Sequence, residues 1–140
     1  MIWVRLLDWF NRKCKGLCVR LGPHPKHRLT DEWHCWYLEH LKATDMVLDY
    51  GCGSGKHADM ALTVAAGVAR YDHERGEYSG VSLRPPAAWE GYHAIFLLDV
   101  LQLVADRQEL LEDLRGRLSS DGRLFISLPY ANTEWRKRLR

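Results

Sequence analysis

Met46-Val-Leu-Asp-Tyr-Gly-Cys-Gly-Ser-Gly-Lys-His57 is the stretch from which the rest of the chain is read. Met46 to Asp49 has the apolar density of a short buried strand. Glycines follow at 51, 53 and 55, and a helix-compatible segment opens near Lys56. A strand feeding a glycine turn at a helix start is a nucleotide-binding device. Glycine permits positive φ and close backbone approach, and the first helical N–H groups face a polar ligand. The spacing excludes two versions of it. A phosphate loop, G-x-x-x-x-G-K-[ST], needs glycine at 50 and a small hydroxyl residue at 57, where Tyr50 and His57 stand. The dinucleotide fingerprint G-x-G-x-x-G needs glycine at 56, which is Lys56. What remains is an acid-led glycine series: Asp49, Gly51, Gly53 and Gly55.

Downstream, alternating elements extend this start. Residues 56–66 read as a crossover helix stopped by Gly67, and Val68–Tyr71 as a second strand. Asp72 lies 23 positions after Asp49, at the carboxyl end of that strand. An acid at such a spacing in a βαβ unit can accept from both ribose hydroxyls. A short strand is expected around Gly80–Leu83, ahead of the Pro85-Pro86 loop, and a strongly buried one over His93–Leu98, closed by Asp99. Asp106-x-x-Glu109 is a capping-box-like start for a helix with Leu110, Leu111, Leu114 and Leu118 inward. Ser119-Ser-Asp-Gly122 reads as a turn, and Leu124–Leu128 as a last strand before Pro129.

Upstream, residues 2–21 place Trp3, Leu6, Leu7, Phe10, Cys14, Leu17, Cys18 and Leu21 at helical intervals. A basic amphipathic helix follows from that pattern. It either packs on its own domain, the favoured reading, or lies on an anionic membrane surface or partner. Gly22-Pro23-His24-Pro25 ends it. Cys14, Cys18, His24 and His27 are metal-ligand types, but both cysteines lie on the apolar stripe and the spacing fits no common zinc pattern, so no metal site is assigned. A second helix is expected from Thr30. Its aromatics, Trp33, Trp36 and Tyr37, read as core rather than ligand-lining. The division is residues 1–30, helix and linker, and residues 31–140, the α/β unit, in one globular whole.

The 140 residues, with 46% hydrophobic and 27% charged, suit one folded domain rather than a disordered chain. Charge is uneven. Residues 1–30 carry +6, residues 31–130 carry −7 and residues 131–140 carry +3. Basic ends suggest an anionic partner. A nucleic-acid role is the weaker form of that idea, because the net charge is only +2 and no nucleic-acid motif accompanies it. No apolar run reaches the roughly 18–20 residues of a membrane span. Four cysteines without a scaffold-like spacing fit a reducing cytoplasm.

The ordered set, Asp49 to Gly55, Asp72, His93–Val104 and Leu118–Pro129, resembles the class I S-adenosylmethionine-dependent methyltransferases, in particular their small, small-molecule and quinone-type members. The resemblance implies a Rossmann-like, doubly wound, mostly parallel α/β sheet in the order 3-2-1-4-5, here with an N-terminal helical cap. It implies that Gly51, Cys52, Gly53 and Gly55 approach the methionine part of the cofactor, that Asp49 orients the turn and that Asp72 holds the ribose. Ser82 and Leu83 would flank the adenine, and Leu98 and Asp99 the amino-acid end. S-adenosylmethionine is then the cofactor and the methyl acceptor is unassigned. The alternative function is a non-catalytic relative that binds cofactor, a partner or a membrane complex. It is prompted by two departures. The family's common Glu-His pair after the fourth strand is Gln102-Leu103, leaving only His57, His73 and His93 as bases by chemistry alone. The family's C-terminal strand pair is also missing. An edge left open at the fifth strand is expected to be covered by the N-terminal helix, a protein partner or a second copy.

Overall fold

A computed structural model describes residues 17–22, 35–74, 81–82 and 90–129. In chain order it has β1 (Leu17–Gly22), β2 (Met46–Tyr50), α1 (Lys56–Ala61), β3 (Gly67–Tyr71), β4 (Val81–Ser82), β5 (Tyr92–Leu98), α2 (Arg107–Arg117) and β6 (Leu118–Pro129). The six strands form one sheet in the order β1-β6-β5-β2-β3-β4, and every neighbouring pair is parallel. This is the α/β, doubly wound, Rossmann-like arrangement implied by the resemblance, with one strand more.

The apolar runs form central strands because both sheet faces are covered, so successive side chains can all be buried. Leu48, Ile95, Leu97, Leu124 and Ile126 face a layer containing Leu110, Leu111 and Leu114 of α2. Val47, Ala94, Phe96 and Phe125 face the opposite layer, with Tyr37, Leu41 and Ala61. The ring of Tyr37 lies 4.3 Å from that of Phe96 and is wholly buried. Helix α2 starts where its capping residue dictates: Asp106 accepts from the Glu109 N–H at 2.9 Å.

The extra strand corrects the expectation for residues 2–21. Leu17–Gly22 is extended and pairs with β6 from Leu17↔Leu124 to Gly22↔Pro129, while the rest of that segment lies outside the described residues. Glycines at 16 and 22 bracket a five-residue run too short to hold a helix alone. The open side of β6 offers it a ladder of backbone hydrogen bonds. The edge expected to need a helical cap, a partner or a second copy is therefore filled by the chain itself. Leu17–Gly22, expected within the N-terminal helix, belong to the sheet.

Three further boundaries differ. The segment after Thr30 shows among its described residues only a 3-10 turn, Leu38–His40. The crossover helix ends at Ala61 rather than 66. Tight turns follow, because Ala66 and Gly67 donate to the Asp45 carbonyl and begin β3. Ser119–Gly122 lies within the bounds of β6, where Tyr92↔Leu118 gives way to Ala94↔Arg123. The expected turn is thus four residues of β6 set against one of β5, an irregularity within the ladder.

Candidate cofactor site at the carboxyl end of the sheet

The glycine turn leaves β2 at the carboxyl end of the sheet and is tied to the end of β3 by several hydrogen bonds. Gly51 and Cys52 donate to the Tyr71 carbonyl at 2.7 and 3.0 Å. Gly53 donates to Asp72 Oδ2 at 2.8 Å, and Glu74 donates to Asp72 Oδ1 at 2.9 Å. Gly55 donates to the Cys52 carbonyl at 2.8 Å and stands at the N-terminus of α1. The N–H groups of this turn are thus largely engaged with protein acceptors. What the turn offers a ligand is close approach to its backbone.

All three glycines have positive φ, at 76°, 53° and 82°. Two of them have distinct reasons. A Cβ on Gly51 would lie 2.4 Å from Val100 Cγ2, so side-chain packing from beyond β5 requires glycine there. A Cβ on Gly53 would meet nothing within 4 Å. Gly53 therefore presents bare backbone to open space above the turn.

Asp49, Asp72 and Arg70 form the charged floor beneath. Asp49 is almost wholly buried, and its Oδ2 has no hydrogen-bond partner among the described residues. Burial pushes its carboxyl up to about 7, helped by nearby Asp72 and opposed by the Ala58 N–H and Arg70. Arg70 pairs with Asp59 of α1, and its side chain runs beside Gly55. Cys52 is buried, and its thiol is pushed up to about 12 by burial, with Asp49 and Asp72 adding to the effect. It is a neutral packing group rather than a nucleophile.

Beyond β5 the backbone makes a second unusual turn. Asp99 has φ 56°, the one non-glycine residue with positive φ among the described residues. Left-handed backbone costs an L-residue roughly 1–2 kcal/mol, and aspartate tolerates it better than most. Its N–H reaches Ser127 Oγ at 3.0 Å and the Ser127 carbonyl at 3.1 Å, and the Ser127 hydroxyl donates to Asp99 Oδ1 at 3.1 Å. Gln102 Nε2 donates to the Asp99 carbonyl.

Asp49, Gly51, Cys52, Gly53, Gly55 and Asp72 are thus one cluster, with Leu98 and Asp99 on the same rim. Ser82 enters by its backbone, opposite Tyr71 at the edge of the sheet, and Leu83 lies outside the described residues. The three histidines separate. His57 lies in the first turn of α1, its Nδ1 2.8 Å from the Tyr37 hydroxyl. Exposed His73 pairs with Glu74. His93 accepts from the Met46 N–H at the amino end of the sheet, which removes it from this site. Cys14, His24 and His27 lie outside the described residues. Sequence reading passed over Ser127, although a polar residue interrupting Leu124-Phe-Ile-Ser-Leu is a readable signal. It took Tyr37 as core, without its tie to His57.

A parallel sheet in this order, with a left-handed glycine turn pinned to an acid at the next strand end, is a Rossmann-like α/β arrangement with a candidate ligand site at the carboxyl ends of its strands. Relatives give the class a name. The chain is 30% identical over 125 residues to the ribosomal protein L11 methyltransferase of Cupriavidus pinatubonensis. It is 32% identical over 126 residues to that of Ralstonia pickettii, and 29% over 129 residues to that of Chromobacterium violaceum. Each alignment takes in 80% of this chain and 40% of the relative, so the chain spans about two fifths of the length of the relatives it matches. No family model and no solved structure matches. Over most of its length the chain is thus similar to proteins named as methyltransferases, and its α/β sheet is consistent with that likeness. These relatives are named for a protein acceptor, where the subfamily likeness in the sequence pointed to small molecules.

Proposed function

We propose that the chain binds S-adenosylmethionine at the carboxyl end of its sheet and transfers the methyl group to a protein acceptor. The observation that carries this reading is the turn at Gly53, bare on its open side and anchored by its N–H to Asp72. The residues fit the cofactor. Each Asp72 oxygen takes one backbone N–H and keeps acceptor capacity for a ribose hydroxyl. The Asp49 Oδ2, without a hydrogen-bond partner among the described residues, leaves a polar group under the turn for the methionine end. When bound, S-adenosylmethionine supplies a methyl group already activated on sulfur, so the contribution of the chain is placement. Gly51, Cys52, Gly53 and Gly55 admit the cofactor backbone-close. Ser82 and Leu83 flank the adenine. Leu98 and Asp99 border the amino-acid end. In the transfer, an acceptor lone pair forms the new bond to carbon as the carbon–sulfur bond breaks and its electrons return to sulfur.

For the acceptor we take the relatives' printed name as the guide: ribosomal protein L11, or a protein like it. Cys52 in the turn is a thiol outside any disulfide, which suits a reducing cytoplasmic compartment where such an acceptor is met. Among the described residues no helix is long and apolar enough to cross a membrane. The test is incubation of the purified chain with methyl-labelled S-adenosylmethionine and purified L11. Label in L11, absent with Asp72→Ala, is the expected result. A chain that binds cofactor but leaves L11 unlabelled refutes this acceptor.

A further inference from the structure

We propose that Ser127 of β6 is a positioning residue that holds Asp99 in its left-handed conformation and so shapes the cofactor-side rim beyond β5. This rests on the cofactor reading above, since the rim matters only if that site is used. Four observations converge on it. Asp99 stands at φ 56°, a conformation that an aspartate leaves unless its surroundings fix it. The Ser127 hydroxyl meets Asp99 twice, accepting from its N–H at 3.0 Å and donating to its Oδ1 at 3.1 Å. The Asp99 N–H is shared with the Ser127 carbonyl at 3.1 Å, so backbone and side chain of one residue grip the same group. Gln102, on the 3-10 turn after the strand, fixes the Asp99 carbonyl from the other side.

The hydroxyl is the part that other residues cannot supply. Leu98 lies opposite Ser127 in the parallel ladder, so β5 and β6 are already in register up to the residue before the left-handed turn. Past that point the regular ladder stops, and the Asp99 carboxylate is steered by the serine. One Asp99 oxygen is committed to Ser127, which sets the direction of the carboxylate. Alanine at 127 would keep the carbonyl contact and the strand. It would release the carboxylate and let the backbone relax toward right-handed φ.

The test is a double-mutant cycle on the full chain. Affinity for S-adenosylhomocysteine is read by calorimetry, and exchange of the Asp99 amide by hydrogen-exchange NMR. Ser127→Ala should weaken binding about 5- to 10-fold, the loss expected for about one lost hydrogen bond, and should speed exchange at Asp99. Ser127→Thr, which keeps the hydroxyl and suits a strand, should restore both to within about twofold. Glycine adopts positive φ unaided, so in an Asp99→Gly background Ser127→Ala should change affinity by less than about twofold. Equal affinity and equal exchange in Ser127→Ala and wild type overturn the proposal. So does an undiminished loss in the Asp99→Gly background. Failure of the underlying reading looks different: the wild-type chain itself then binds no S-adenosylhomocysteine, and the proposed role falls with it.

Discussion

Asp49 shows how one residue can join the fold to the site. Its place at the end of β2 buries it under the glycine turn, and burial holds its proton up to about 7 against an ordinary value of 3.8. The folded chain therefore holds a proton that the unfolded chain has released. The stability contributed by this group is full below about pH 4 and is lost as pH rises through about 7. Asp49→Asn cannot titrate. Its unfolding free energy relative to wild type should rise between about pH 5 and about pH 8, and urea denaturation at several pH values measures it. A flat difference would mean that Asp49 is charged throughout. Gly53 gives a second prediction at this scale. Gly53→Ala puts a Cβ in empty space but at φ 53°, so it should cost about 1–2 kcal/mol of stability by denaturation. It should also weaken S-adenosylhomocysteine binding by more than that loss explains, because the Cβ occupies the face left open to the ligand.

At the scale of elements, the sequence was readable where one physical signal dominated. Val47-Leu48 and Ala94 to Leu97 are apolar without a break because both faces of the sheet are covered, and so they read as buried strands. Helix α2 was marked by Asp106 and Glu109, whose cap forms as expected. Legibility failed where a distant element decides. Leu17–Gly22 carries apolar residues at intervals that fit a helix, yet the open edge of β6 makes it a strand. Nothing local to residues 17–22 reports that edge. His93 looked chemically eligible until strand register put it at the amino end, away from the glycine turn. The Asp99–Ser127 clamp joins residues 28 positions apart and exists only through β5·β6 pairing. The role given to β1 is testable. Val19→Pro with Arg20→Pro removes two consecutive N–H groups, one of which must face β6 whichever way the strand is turned. The variant should unfold at lower urea and self-associate with rising concentration in light scattering, as the β6 edge is bared. A stable monomer would show that β1 contributes little.

The described residues form one six-stranded parallel sheet with the candidate site gathered at one end. Asp49 lies near the end of β2 and the glycine turn follows it, Asp72 follows β3, and Asp99 follows β5. Parallel order makes this inevitable: every strand points its carboxyl end the same way, so residues far apart in sequence meet on one rim. The central claim is that this rim binds S-adenosylmethionine, and Asp72 is where cofactor and fold intersect. The most direct measurement is calorimetric titration of the full chain with S-adenosylhomocysteine, wild type beside Asp72→Ala, with circular dichroism to confirm that both are folded. We predict micromolar binding by wild type and at least about tenfold weaker binding by the variant, since the tie to Gly53 of the turn, the tie to Glu74 and the proposed ribose acceptor are lost together. A folded wild-type chain that gives no binding, or an Asp72→Ala variant that binds as tightly, would contradict the account.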